Sequence, residues 1–296
     1  MKKVLGIACA LCIGVAASAQ NEQIQNKKGV DIMPVSGEYS VGIGVGLNSV
    51  TGWIGSMFGY TGYNSFSQTY VNNPLFSGTP ISIWGKYMVS DDNALRMSLS
   101  NTGIDNTNLY NVFDDRSNNP DSMVVDKRRI NSSTTYLSAG WEFRRGKTRL
   151  RGLYGGDAVI SWANSHDHFV YGNSLTAGNL TPTQAAAMPA WNATWGRTTQ
   201  VRNGATFGIG VRAFVGVEYF IAPKICIGTE FGWSARYEVT GESKVDYERF
   251  DPFIDTDGDG SPDGAVRTHT ETTLGSRTWS TGLDNFNTQL YFNFYF

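Results

Sequence analysis

The chain has 296 residues, of which 41% are hydrophobic, 13% aromatic and only 17% charged, with 34 glycines against 9 prolines. Low charge with abundant glycine and rings suits strands and connecting segments and speaks against a helical bundle. A formal net charge of -2 at pH 7, with no basic run, excludes nucleic acid as a partner.

The first element is a leader. "MKKVLGIACALCIGVAASAQ" carries Lys2 and Lys3, an apolar run, and Ala17-Ser18-Ala19 before Gln20, which reads as a secretory signal peptide over residues 1–19, cleaved after Ala19. Cys9 and Cys12 leave with it; neither is preceded by a convincing lipobox. The mature chain then keeps only Cys226, so an intramolecular disulfide is impossible. Losing Lys2 and Lys3 takes 24 basic residues to 22 against 26 acidic ones, a mature charge of -4. Residues 20–36 are polar and precede the first strand; they are expected to stay periplasmic, free or bound to a partner.

No mature segment approaches 18 consecutive apolar residues, so no helix spans a membrane. Period two recurs instead. Tyr39, Val41, Ile43, Val45 and Leu47 share one face, followed by Ile81, Ile83, Tyr87 and Val89, and then by Leu95, Met97 and Leu99. Leu137, Ala139, Trp141 and Phe143 continue the pattern, as do Leu150, Gly152 and Tyr154. Phe207 to Tyr219, Ile225 to Trp233, and Leu290, Phe292, Phe294 and Phe296 complete eight candidate strands. Tight turns ("SDDN", "RRGKT", "IAPK") alternate with four connectors of roughly 30 to 45 residues, far above the usual 2–6.

This alternation of short and long connections resembles bacterial outer-membrane β-barrels, of a small eight-stranded type and the broad Bacteroidota kind. The fold expected over residues 37–296 is an all-β, antiparallel, up-and-down transmembrane β-barrel, with long extracellular loops and short periplasmic turns. The closing Phe292, Phe294 and Phe296 resemble the β-signal that the barrel-assembly machinery recognises during insertion. Outward phenylalanines are tolerated where the outside is hydrocarbon or another protein. A secreted β-sandwich also alternates, but seldom pairs tight turns with four long loops on one side.

The opposite parity faces the lumen. Lys86, Arg96, Glu142, Arg151, Arg212, Glu218, Glu230 and Arg236 are expected to pair and plug it, since eight strands enclose a space that side chains can fill. The alternative is a selective conduit lined by the arginines.

Activity must then lie in the loops. "DTDGDGSPD" places Asp255, Asp257, Asp259 and Asp263 at alternating positions, an oxygen-rich loop suited to Ca²⁺. It resembles thrombospondin type 3 calcium loops, with a Ser261 carbonyl completing the shell. Val266 at position 12 departs from an EF-hand, and a solvated acidic turn is the alternative. Asp121-Ser122-Met123 resembles the Bacteroidota O-glycosylation acceptor, with Ser122 modified. "TPTQAAAMP" could start a short helix before Pro189. His166, His168 and His269 raise the thought of a lipid-modifying enzyme or protease, without a matching family motif. Trp53, Tyr60, Tyr63, Tyr70, Trp191 and Trp195 are candidate partner anchors.

The function expected is a non-enzymatic barrel in the outer membrane of a Gram-negative bacterium. Its surface loops bind other outer-membrane proteins, surface lipoproteins or an external ligand. A small pore or transporter is the second expectation, and an outer-membrane lipid-modifying enzyme or protease the third.

Overall fold

Alternating side chains form strands because each residue pair offers one apolar and one polar face to two different solvents. The computed structural model describes residues 24–46, 81–146, 148–255, 264–283 and 289–296; the leader and most of the first long connector lie outside these. The strands are β1 (Tyr39–Gly46), β2 (Ile81–Ser90), β3 (Asn93–Phe113), β4 (Met123–Arg145), β5 (Leu150–Val170) and β6 (Arg197–Ala222). Then follow β7 (Ile225–Thr240), β8 (Ser243–Asp251), β9 (Ala265–Thr273), β10 (Ser276–Leu283) and β11 (Gln289–Tyr295).

Every pairing is antiparallel, and β1 through β7 with β11 make an eight-membered ring. Closure sets Val41 opposite Phe294 and Ile43 opposite Phe292. The last residue is tied down as well: Tyr39 and Phe296 exchange backbone hydrogen bonds of 3.0 and 2.9 Å.

Polarity is inside out. Leu95, Met97, Leu99, Ile209, Val211, Val215 and Phe294 are exposed, whereas Lys86, Glu142, Glu218 and Asn293 are buried. A closed sheet with this pattern is stable only where hydrocarbon surrounds it and no strand edge is left unpaired. Rings mark the turn end of the apolar band, where Tyr39 meets Tyr87 at 4.8 Å and Phe143 stacks on Tyr154 at 5.2 Å. Trp162, Phe207 and Trp233 are exposed towards the other end. The chain is thus a transmembrane β-barrel of the outer-membrane kind.

The long connectors differ from expectation. Those after Leu99 and after Trp162 run on largely as strand, leaving a turn over 114–122 and an irregular segment over 171–196. Just above the apolar band neither face of these extensions is strongly apolar, because outside the membrane both meet polar surroundings, and alternation therefore fades there. β6 has 26 residues, where spanning needs about 9–11. That length runs about 85 Å along the strand, against an apolar band about 25 Å tall. β7 continues into β8 across Gly241, whose N–H donates to Ala205 O at 2.9 Å.

No helix forms over 181–188. Pro182 and Pro189 bracket the stretch, and Ala185 and Met188 instead turn into a core with Val112 and Phe169. Tertiary packing overrides the alanine propensity.

Candidate functional site

Eight inward side chains fill the bore near its turn end: Lys86, Arg96, Arg144 and Arg212 against Glu142, Asp157, Glu218 and Glu230. Lys86 and Arg96 are cross-strand neighbours, and like charges there would repel. Glu142 joins them, at 2.8 Å from Lys86 Nζ and 3.2 Å from Arg96 Nη1. Arg96 reaches across the ring to grip Glu230 bidentately at 2.6 and 2.9 Å, and takes Asp157 at 3.1 Å. Arg212 bonds both of those carboxylates, at 3.1 and 3.4 Å. Glu218 holds Lys86 at 2.5 Å and accepts from Arg144. Four cations thus meet four carboxylates, and neutrality is what makes such a buried set tolerable.

Rings enclose the network. Arg96 lies 3.9 Å from the Phe214 centroid, and Trp84 stacks on Tyr291 at 5.4 Å. Gly228 leaves space for the Tyr291 ring, which an added Cβ would strike. Of the residues expected in the lumen, Arg151 lies lower, 3.5 Å from Asp92, and Arg236 lies higher, 3.1 Å from Glu238. Arg144 and Asp157 belong to the cluster without having been singled out. Parity was the available signal for both, as Arg144 is two residues from Glu142.

The lower mouth is covered by the N-terminal segment. Residues 24–38 fold back on a turn, with Ile32 N–H donating to Ile24 O at 2.9 Å. Ile32 and Met33 are almost fully buried against Met88, Ala94, Phe220, Cys226 and Tyr295. Lys224 fastens the segment: its N–H donates to Ile32 O, and its Nζ bonds Met33 O at 2.9 Å and Glu38 at 2.6 Å. These bonds also hold Lys224 at a φ of 61°, unusual for a non-glycine. Segment 24–38 is therefore docked on its own barrel. Replacing Glu38 by Gln should cost about 1 kcal/mol or less and speed protease cleavage within 24–38; unchanged cleavage rates would show that this pair does not fasten it.

A second plug lies at the far end. Segment 171–196 covers the inward face of the extended β3–β6 wall, where Ala185 and Met188 pack on Val112 and Phe169. Asp126, fully buried, accepts from Gly172 N and Ala185 N, both at 2.8 Å. Asn173 donates to Phe113 O and Thr183 O at 2.7 and 3.0 Å. Arg197 donates to Asn173 O at 2.7 Å and bonds Glu248 at 2.7 Å. Asp115 is partly desolvated, yet N–H donors from Thr183 and Asn179 hold its carboxyl below the usual range.

The outer wall has three zones. Above the apolar band comes a polar belt, with Asn101, Gly103, Asp105 and Thr107 on β3 and Asn131 and Ser133 on β4. Beyond it Leu109, Phe113, Met123, Val125 and Val170 are exposed on the outward face. The register sets Phe113 opposite Met123, and Lys127 between Leu109 and Val170, so these residues form one patch at the tip.

The remaining candidates are scattered. His166 and His168 project outward from β5, whereas His269, on β9, stacks on Trp195 at 3.5 Å. In the sheet β6 and β8 lie between those strands. Among the described residues no group of three or more His, Cys, Asp or Glu could hold a metal ion. Asp255 ends a described stretch; Asp257, Asp259, Ser261 and Asp263 lie outside the described residues, as do Trp53, Tyr60, Tyr63 and Tyr70. Ser122 is half-buried at the end of the β3–β4 turn, its N–H donating to Asn119 O at 3.0 Å. Trp191 and Trp195 are half-buried.

No protein-family model and no curated protein sequence matches the chain. Among solved structures it is similar to the outer membrane protein OprG from Pseudomonas aeruginosa, at 9% identity and a TM-score of 0.31, over 89% of this chain and 98% of that one. The outer-membrane barrel architecture stands on the closed ring and its inverted polarity.

Proposed function

We propose that the protein is a non-conducting, non-enzymatic barrel that displays its tall extracellular wall as a docking surface for another outer-membrane or surface protein. The observation carrying this reading is the tip patch of Leu109, Phe113, Met123, Val125 and Val170. A polar belt parts it from the apolar band, so it faces water and not acyl chains. Apolar surface of this kind, held on rigid paired strands, is characteristic of protein contact sites. The buried ion-pair network and the docked segment 24–38 support a closed bore.

The test is purification from gently solubilised membranes of the wild type and of Leu109→Glu/Met123→Glu. Loss of one stoichiometric companion chain from the variant alone is the expected result; an identical set of companions would sink the docking surface. Planar-bilayer recording should show no discrete openings. Stable unitary conductance would overturn the closed bore.

A further inference from the structure

Above the membrane the tall wall has an open edge. Beyond Ser100, β3 pairs with β4 alone among the described residues, because its ladder with β2 ends at the Ser82–Ser100 pair. The direction of the backbone groups follows from the two ends of β3. Arg144 N–H donates to Asp92 O at 2.8 Å, and Asp114 N–H donates to Ser122 O at 2.9 Å. Even-numbered residues therefore turn their N–H and C=O towards β4, and odd-numbered ones turn theirs away from it. Gly103, Asp105, Thr107, Leu109 and Asn111 thus present donors and acceptors along the edge, over about 27 Å. Phe113 O, next in the row, accepts from Asn173 Nδ2 at 2.7 Å.

Edges of this kind are ordinarily blunted by Lys or Pro, by a bulge, or by being short. β9, which ends the sheet order, has 9 residues and carries Arg267 and Glu271. The stretch 101–113 of β3 has none of these devices. It contains no Lys, Arg or Pro, and its ladder with β4 runs to Phe113 without a shift in register. Its one charge, Asp105, is bound by Arg129 at 2.8 Å. The edge climbs from the polar belt to the tip patch, whose Leu109 and Phe113 are themselves edge residues. It stands in water, where open backbone groups are tolerated as they are not in lipid.

We infer that the partner docked at the tip patch joins this sheet as an added strand, pairing with Gly103 to Asn111 of β3. The inference rests on the docking surface proposed above and supplies its mode of recognition. Main-chain hydrogen bonds give affinity, and alternate side chains choose the partner. β4 shows which side chains suit the edge. Its outward row of Met123, Val125, Lys127 and Arg129 lies opposite Phe113, Asn111, Leu109 and Thr107. The occupant is accordingly an extended protein segment, with alternating apolar residues at the tip end and polar or cationic ones at the belt. A second copy fits poorly. Both copies in one membrane raise β3 in the same direction, so a twofold pairing is parallel. It sets the outward row of one copy beside the inward row of the other.

The test uses the full-length protein in lipid nanodiscs and a synthetic peptide copying Met123 to Asn131, the sequence that fits β3 on its other side. In the protein alone the amides of Gly103, Asp105, Thr107, Leu109 and Asn111 should exchange freely, with the even-numbered amides between them protected. Adding the peptide should protect the odd-numbered set as well. A copy N-methylated at Val125, Lys127 and Arg129, whose amides face β3 in such a pairing, should bind about tenfold more weakly or worse. Thr107→Pro deletes an edge-facing donor and no bond of the β3–β4 ladder, and should weaken the unmodified peptide by about tenfold too. The heat-dependent gel shift of the folded barrel confirms that this variant folds. Protection of the odd-numbered amides without peptide, constant or rising with protein concentration, means that the chain's own connector or a second copy holds the edge, and overturns the inference. Equal binding of the two peptides, or binding of neither, also overturns it. Loss of the companion chain in Leu109→Glu/Met123→Glu together with equal peptide binding sinks the edge alone. An unchanged set of companions together with peptide-induced protection sinks the patch and leaves the edge standing.

Discussion

Replacing Glu218 by Leu should destabilise the barrel by about 3–5 kcal/mol, because removing one partner strands a buried charge. Glu218 holds Lys86 at 2.5 Å and also accepts from Arg144. Lys86 would keep Glu142 at 2.8 Å, but Arg144 would retain that carboxylate only at 3.8 Å. The burden therefore falls on Arg144, whose side chain is almost fully buried. Adding Arg144→Met should recover most of the loss, since a matched apolar pair leaves no orphan charge. Urea unfolding of barrels reconstituted in lipid vesicles reads both values. A Glu218→Leu barrel within about 1 kcal/mol of wild type would show that the network does not hold the lumen together.

Asp126→Ala should release segment 171–196 while leaving the membrane ring intact. The Asp126 carboxylate binds two backbone N–H groups of that segment, Gly172 at its start and Ala185 near its middle. Without it Ala185 N loses its partner in a buried setting, at about 1–3 kcal/mol, and Gly172 N in a partly buried one, at less. Amide hydrogen exchange should show protection falling across 171–196, with β1, β2 and β11 unchanged. Asp126→Asn keeps one acceptor oxygen and should fall between. Full protection of 171–196 in the alanine variant would mean that the packing core, not the carboxylate, anchors the cap.

Much of the architecture was legible because its signal is local. The row Phe207, Ile209, Val211, Ala213, Val215, Val217 and Tyr219 states strand, outward face and apolar surroundings at once. Glu218 and Arg212, of opposite parity, are thereby assigned to the lumen. Extensions such as Asn101 to Phe113 hid because their outward residues include Asn101, Asp105, Thr107 and Asn111, which alternate with side chains scarcely more apolar. Arg144 hid within "RRGK", which reads as a turn although both arginines are still strand. Ile32 and Met33 sit side by side in "VDIMPV", too short a run to state a face, and nothing local marks where they dock.

By itself the sequence determined the eight strands of the ring across the membrane, their facing and the solvent each face requires, since side-chain alternation is set residue by residue along the backbone; the extensions and β8 to β10 it did not. Tertiary structure alone decided the partners: Arg96 with Glu230, Arg144 with Glu218, Asp126 with Gly172 and Ala185, and Met33 with Phe220. Those contacts join residues from 46 to nearly 190 positions apart. Ring closure brings them together, through strand tilt and stagger that no short window of residues contains.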